Sequence, residues 1–213
     1  MGSSSRYGPR ERMVFSAAQL IRREGVAATG LRQVVAHAEA PRGSLQHYFP
    51  GGKEQLVNEA VAWAARYAAR RVERFVAAMG GSPTPGGLFA AMVRQWTDEL
   101  ESDGTLAGCP VAAATVDCAS ADSTRAAVAA AFAEWTRPLT VALTDMGVPE
   151  PRAPSLATLM LSTLEGAILI SRAENSPRAL LTAATELAPL LDAATGTQWA
   201  SGPSRLPPDS ADQ

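Results

Sequence analysis

Residues 29–53 read TGLRQVVAHAEAPRGSLQHYFPGGK, and this stretch decides the fold. Apolar residues recur at helical spacing from Leu31 to Ala38, and Thr29 is the predicted N-cap of that helix. Pro41 cannot lie inside a continuing helix but begins one well, so a third helix is predicted over about residues 42–49, with Leu45 and Phe49 one turn apart on its buried side. Two short helices joined by a tight break are typical of a helix-turn-helix that enters a DNA groove.

The outward-facing positions of this predicted third helix carry small or hydrogen-bonding residues. Gly43 is costly in a helix, by about 1 kcal/mol relative to alanine, which indicates that another molecule approaches closely there. The amino termini of the second and third helices would also favour phosphate. Any αα-hairpin would bury the same inner faces, so the DNA-binding interpretation depends on the outer positions. These are Arg42, Gly43, Ser44, Gln46 and His47.

The flanking sequence predicts further helices and no strands. A first helix is expected from Pro9 to Glu24, ended by Gly25, and a long one from Lys53 to Met79. A connector rich in glycine and proline follows at residues 80–87. Because no segment alternates apolar and polar residues, the predicted fold is all-α. The remaining helices are expected at about 87–101, 109–119, 122–146, 152–174 and 177–195.

Charge is distributed unevenly along the chain. Residues 1–79 hold 12 Arg/Lys and 6 Asp/Glu, whereas residues 80–213 hold 7 and 15. A basic first third beside an acidic remainder indicates that the first third meets a polyanion, although a merely solvated basic surface would look the same.

Composition and motifs narrow the class of protein. Apolar residues make up 46% of the chain and charged residues 19%, which is typical of a globular protein. Cys109 and Cys118 would lie on opposite faces of a shared helix, so no disulfide is expected. Without a signal peptide or a long uncharged apolar segment, a cytoplasmic location away from the membrane is predicted. No metal-ligand cluster, phosphate-binding loop or catalytic motif is found, so neither an enzyme nor a cofactor is expected.

With these residues in view, the chain resembles TetR/AcrR-type transcriptional regulators. The similarity is strong over Arg10–Val72, and the segment APRGSLQHYFPGGKEQLV is particularly similar to the LmrA/YxaF-like branch. The resemblance implies that the third helix reads the major groove, that Lys53 contacts phosphate, and that Thr29 and Arg32 begin the second helix at the DNA backbone. The groove-facing positions that match are Pro41, Arg42, Gly43, Ser44, Gln46, His47 and Tyr48.

Two positions depart from the family's pattern. The turn commonly carries glycine where Glu39 stands, and tyrosine is common where Gln46 stands. Glu39 brings a negative charge near DNA and is expected to alter the turn. Gln46 can hydrogen-bond adenine or phosphate but supplies no aromatic ring.

The resemblance also implies a ligand cavity inside the helical remainder. Each apolar residue there could equally be plain core, and Glu165, inside an apolar run, could face the cavity, lie on an exposed helix edge or pair at an interface. The predicted ligand-binding residues are Trp63, Tyr67, Phe89, Met92, Trp96, Phe132, Trp135 and Leu164.

The last two predicted helices carry apolar faces that could be core or a dimer interface. The resemblance favours a four-helix interface between two copies of the chain. The face of the first includes Leu156, Leu159, Met160, Thr163, Leu164, Ala167 and Ile170, and that of the second includes Leu180, Leu181, Ala184, Leu187, Leu190 and Leu191.

The sequence therefore predicts a helix-turn-helix domain at residues 1–52, a helical ligand-binding and dimerisation domain at 53–197 and a mobile tail at 198–213. The expected function is that of a repressor that binds a palindromic double-stranded operator as a homodimer and is released by a small apolar or aromatic effector. The alternative is a helical small-molecule-binding protein without DNA-binding activity.

Overall fold

The protein was analysed as a computed structural model that describes residues 8–41, 43–117 and 122–196. Within these ranges the regular structure is entirely helical, which confirms the predicted all-α class. The predicted tail and Cys118 lie outside the described residues. The helices are α1 (Pro9–Ala28), α2 (Leu31–His37), α3 (Ser44–Tyr48), α4 (Gly52–Ala78), α5 (Pro85–Asp103), α6 (Pro110–Asp117), α7 (Asp122–Asp145), α8 (Ala153–Glu174) and α9 (Arg178–Asp192).

The first helix is interrupted where its end was predicted. Gly25 has φ 85° and ψ 169°, a conformation that glycine adopts without steric cost. The chain then resumes one further helical segment as far as Ala28, so the prediction of an end at Glu24 was too short. The amides of Val26 and Ala27 both donate to Asp117 Oδ2, at 2.6 and 3.2 Å, and this distant acceptor explains why the segment can form.

The second helix begins later than predicted, and Thr29 is not its N-cap. The Thr29 hydroxyl donates to the carbonyl of Gly25 at 2.7 Å, so it completes the kink in α1. Gly30 occupies the N-cap position of α2, and its amide donates to Gln33 Oε1. The Gln33 side chain therefore satisfies the amide of the N-cap residue itself, which is a different donor from the first-turn amides that an N-cap Thr29 would have served.

The third helix is shorter than predicted, because it spans only Ser44–Tyr48. Leu45 and Phe49 are buried, as the spacing predicted, and the Phe49 amide closes the helix by donating to the Leu45 carbonyl at 2.7 Å. Two buried side chains, Leu45 and Phe49, therefore hold the short helix against the core. Its opposite side is open to solvent at Gly43, Gln46 and His47.

The remaining helices build a core around α4. This helix packs against α1 on one side and α7 on the other, while α5 packs against α9, and α8 packs against both α7 and α9. The connector before α5 is shorter than predicted, because Pro85 already occupies the first turn and Thr84 Oγ1 accepts from the Gly87 amide at 3.0 Å. The last helix ends at Asp192, three residues before the predicted end.

By length and composition alone, α8 is also apolar enough to cross a membrane. Buried residues make up 44% of its most apolar window, and the ionisable Glu165 lies near its middle. Together with its packing on α7 and α9, these properties are those of a core helix.

Candidate DNA-binding surface and effector cavity

The surface around α3 brings together most of the predicted DNA-contacting residues. Pro41, Gly43, Gln46 and His47 are exposed, and Arg32 on α2 is exposed as well. A β-carbon added at Gly43 would meet nothing within 4 Å, and its φ of −85° suits any residue. Neither packing nor backbone conformation within the chain therefore requires a glycine here.

Other predicted contact residues are engaged within the chain. Ser44 Oγ donates to the Pro41 carbonyl at 2.6 Å, and the rings of His47 and Tyr48 meet edge to face with centroids 5.0 Å apart. Lys53, half-buried near the start of α4, donates to the Ala27 carbonyl at 3.3 Å. Arg42 lies outside the described residues.

The structure does not leave the Thr29 side chain available to DNA. It is only 4% exposed, and its hydroxyl is used by the Gly25 carbonyl. The prediction that Thr29 meets the DNA backbone is therefore not supported for its side chain.

The turn between α2 and α3 contains the departure predicted at Glu39. Its φ of 48° lies in the left-handed region that glycine favours, so a side chain occupies a strained position. Arg12 on α1 holds this turn, because its guanidinium donates to the carbonyls of Ala38 and Glu39 at 3.0 and 3.3 Å. The glutamate keeps the left-handed turn, stabilised by an arginine from a neighbouring helix.

A cavity of about 1510 Å³ extends along α1 and α4. At its inner end it is lined by Trp96 of α5, Trp135 of α7 and Leu164 of α8, and we call these three the inner helices. Its outer part carries an aromatic row in which Trp63 stacks on Tyr67 and meets Phe15 edge to face, each at 5.3 Å between centroids. Phe15 and Tyr67 are 43% and 37% exposed, so this part opens to solvent.

Six of the eight predicted ligand-binding residues line this cavity, although periodicity alone could not separate lining from core. Phe89 is fully buried in the core and Phe132 is half-buried, and both lie outside the lining. The six lining residues are Trp63, Tyr67, Met92, Trp96, Trp135 and Leu164.

A cluster of polar side chains connects α1 to α5 and α8. Arg22 forms an ion pair with Glu99 at 2.6 Å and donates from Nε to the Gly108 carbonyl at 2.9 Å. Its guanidinium lies 5.3 Å from the centre of the Trp96 ring, which lines the cavity. Near the end of α8, Arg172 donates to the carbonyls of Arg22 and Arg23.

Sequence reasoning missed Arg22, Asp117 and Phe15. Arg22 and Glu99 are 77 positions apart, and Val26 and Asp117 are 91 apart, so no local pattern connects them. The one available signal was Asp117 itself, because an acidic residue at a helix carboxyl terminus opposes the helix dipole and needs a reason to be there.

Glu165 is half-buried and its carboxylate is shielded from solvent, which excludes the exposed helix edge among the three alternatives left open by the sequence. Each of its carboxylate oxygens exposes less than 1 Å² and has no hydrogen-bond partner by ordinary geometry among the described residues. Burial raises the pKa of Glu165 to about 7, and the neighbouring Cys109 thiol opposes that rise only in part. Burial, followed by the charge of Glu165, raises the pKa of Cys109, so this thiol is unreactive at neutral pH.

The predicted faces of the last two helices divide between core and surface. Leu156, Met160 and Ala167 are buried, as are Leu180, Leu187 and Leu191. Five large apolar residues nevertheless remain exposed on these helices, at 46–65% of their surface, and form what we term the α8/α9 apolar face. They are Leu159, Leu169, Ile170, Leu181 and Leu190.

Comparison with known families matches both parts of the chain. Residues 16–60 match the family described as bacterial regulatory proteins, tetR family, and residues 85–186 match the transcriptional regulator LmrA/YxaF-like C-terminal domain. Both matches agree with the resemblance predicted from the α2–α4 sequence.

Individual relatives extend this similarity over most of the chain. An uncharacterized HTH-type transcriptional regulator of Mycobacterium tuberculosis is 42% identical over 171 residues, covering 78% of this chain and 84% of the relative. The HTH-type transcriptional regulator LmrA of Bacillus subtilis is 31% identical over 173 residues, covering 80% and 90%. The crystal structure of a TetR transcriptional regulator from Chloroflexus aurantiacus superimposes with a TM-score of 0.67 and 26% identity, covering 85% and 92%.

Proteins of this family are DNA-binding transcriptional regulators rather than enzymes, and they typically act as dimers. The helix-turn-helix surface, the all-helical remainder and matches over both parts lead to one conclusion: the chain belongs to the TetR family of bacterial transcriptional regulators, on its LmrA/YxaF-like branch.

Proposed function

We propose that this protein is a cytoplasmic transcriptional repressor that binds a palindromic operator as a homodimer and releases it when a small apolar or aromatic molecule occupies the cavity. The observation that carries the proposal is the position of the cavity. It runs along α1 and α4, and its lining includes Arg10, Phe15 and Arg22 of α1 as well as Trp96 and Trp135 of the inner helices. A small molecule bound in the cavity would therefore contact both α1, near the helix-turn-helix, and the helices of the remaining part of the chain.

In this proposal residues 1–52 form the DNA-binding head and residues 53–197 the body. Arg42, Ser44, Gln46 and His47 contact the major groove, while Arg32 and Lys53 contact phosphates. Gly43 allows the backbone to approach DNA closely, which fits a position where nothing within the chain requires glycine. The basic balance of residues 1–79 supports the same orientation.

The dimer is proposed to form through the α8/α9 apolar face. Patches of this kind are uncommon on monomeric proteins unless they bind something. A two-fold interface would bring each face against its own copy and hold two heads at a fixed separation, as half-sites about one helical turn or a multiple apart require.

The switch is proposed to run along two routes. One is α4, which begins beside the head with Lys53 and carries Trp63 and Tyr67 in the cavity. The other is the Arg22–Glu99 cluster and α6, whose first residues line the cavity and whose last residue holds Val26. An effector that fits the cavity only after these helices shift would weaken operator binding by about 1–3 kcal/mol of coupling energy.

The test is an electrophoretic mobility shift with DNA from upstream of the protein's own gene, paired with a fluorescence titration of the same sample. We expect a specific shift that apolar aromatic compounds reverse at the concentrations that change tryptophan emission, because Trp63, Trp96 and Trp135 line the cavity. Compounds that bind while no DNA is ever shifted would instead indicate a small-molecule-binding protein without DNA-binding activity.

A further inference from the structure

The proposal of an apolar effector leaves the shielded carboxyl group of Glu165 unexplained. It projects from α8 one residue after Leu164, which lines the cavity. Both of its oxygens are shielded from solvent and lack a hydrogen-bond partner by ordinary geometry among the described residues. Buried polar groups are nearly always paired, so an unpaired carboxyl group calls for an explanation.

Glu165 lies next to the cavity rather than in its lining, and one neighbouring side chain belongs to both surroundings. Cys109, the neighbouring polar group, lines the cavity together with Pro110 and Val111 at the start of α6. A cysteine side chain is small and turns about a single bond to its sulfur atom. A ligand at the inner end of the cavity would contact Cys109 and, if this side chain turned aside, could reach Glu165.

The charges around the inner cavity leave Glu165 without a counter-ion. The basic group nearest the inner aromatic residues, Arg22, is already paired with Glu99 at 2.6 Å. Burial is the main influence on the pKa of Glu165, and no basic side chain contributes to it. The inner end therefore offers one uncompensated negative charge whenever Glu165 is ionised.

We propose that the inner end of the cavity binds a protonated nitrogen of an otherwise apolar, aromatic effector, and that Glu165 is its ionic partner. The aromatic body of such a ligand would lie against Trp96 and Trp135, whose rings also favour cations. This inference rests on the proposed effector cavity and narrows its ligand to aromatic amines and related organic cations.

Two probes of nearly equal shape separate this inference from the broader proposal. The full-length protein is titrated calorimetrically with 2-naphthylmethylamine and with 2-naphthylmethanol at pH 8, where Glu165, with its pKa of about 7, is largely ionised and the amine is protonated. We expect the amine to bind on the order of tenfold more tightly than the alcohol, because only the amine forms a charge-assisted hydrogen bond.

Glu165→Gln preserves the shape of the side chain and removes its charge. We expect this variant to lose the preference for the amine while its affinity for the alcohol stays within about twofold of wild type. Glu150→Gln, at an exposed position before α8, is the matched control and should keep the preference. Circular dichroism and thermal melting verify that both variants fold.

The outcomes are distinguishable. Equal binding of both probes to the wild-type protein overturns the inference without the need for any variant, while the effector cavity itself stands. An unchanged preference in Glu165→Gln overturns the role of Glu165. If neither probe binds, the inference and the proposed effector cavity both fail.

Discussion

Asp117 Oδ2 lies 2.6 Å from the amide nitrogen of Val26, and this hydrogen bond joins the end of α6 to the helical segment that leads into α2. The same oxygen accepts from Ala27 at 3.2 Å, so one carboxylate satisfies two amides at the start of the segment that follows the kink. Helix starts favour negative charge, whereas the carboxyl terminus of α6 does not. The contact therefore explains the position of Asp117 and connects α6 to the helix-turn-helix.

Removal of this carboxylate should separate effector binding from operator release. We expect Asp117→Ala to destabilise the protein by about 1–2 kcal/mol, because the partly buried Val26 amide and the exposed Ala27 amide lose their acceptor. Effector affinity should stay near that of wild type, while effector-driven release from DNA weakens, as measured by fluorescence anisotropy of labelled operator. Asp145→Ala, at the exposed end of α7, is the control and should behave as wild type. Full effector response in Asp117→Ala would exclude this route.

Gly25 should tolerate no side chain at this kink. Its φ of 85° is unfavourable for other residues, and an added β-carbon would lie 2.7 Å from Asp117 Oδ2. We expect Gly25→Ala to lower the free energy of unfolding by more than about 1 kcal/mol in urea titrations. Gly81→Ala is the comparison, because Gly81 is exposed, its φ lies outside the left-handed region and an added β-carbon would meet nothing within 4 Å. Equal losses in the two variants would contradict the strain argument.

The head illustrates what sequence can and cannot predict. The alternation of inner and outer positions predicted the burial of Leu45 and Phe49 because both depend on local helical spacing. The prediction that Thr29 caps α2 was wrong, because its hydroxyl donates to the Gly25 carbonyl and Gly30 occupies the N-cap position. The extension of α1 to Ala28 was missed because its stabilising acceptor, Asp117, comes from a distant part of the chain.

The residues that contact DNA should contribute to operator affinity in two ways, through base contacts in the groove and through phosphate contacts. Arg42→Ala should weaken operator binding about tenfold or more, because a bidentate contact between arginine and a base contributes roughly 1–3 kcal/mol. Lys53→Ala should weaken binding to all sequences about equally and reduce the slope of log affinity against log salt by about one. Arg94→Ala, exposed on α5, is the control. Operator affinity unchanged in both head variants, at full folding, would refute the proposed surface.

The dimer is best tested on the residues that the structure leaves exposed. Leu187 and Ala167 face the interface in the sequence-based prediction, but they are only 7% and 6% exposed, so a charge there would disrupt the core. Leu190 is 65% exposed on α9, and Leu190→Arg should yield folded monomers by light scattering, because each arginine would be buried at the interface without a partner. Val141→Arg, at a 55% exposed position on α7, should remain dimeric. A wild-type monomer at micromolar concentration would contradict the interface.

The residues that line the cavity could be predicted from the sequence only in part. The resemblance to a family with a ligand cavity identified Trp63 and Trp96 as candidates, but the same reasoning also selected Phe89, which is buried in the core. The spacing of apolar residues shows which face of a helix is buried, but it does not show where neighbouring helices leave a cavity between them. Glu165 was ambiguous for the same reason, since its buried surroundings include Cys109, which comes from a distant part of the chain.

The ionisation of Glu165 should make stability depend on pH in an unusual direction. Its pKa rises from 4.5 to about 7 on folding, so between these values the native state holds a proton that the unfolded chain has released. The free energy of unfolding therefore falls as pH rises through this window, by about 2–3 kcal/mol. Glu165→Gln lacks this loss, so its stability relative to wild type should increase between pH 5 and pH 8. Urea titrations at fixed protein concentration measure the difference, with Glu150→Gln as the control that follows wild type. A difference between Glu165→Gln and wild type that stays constant with pH would show that Glu165 is not buried as an unpaired acid.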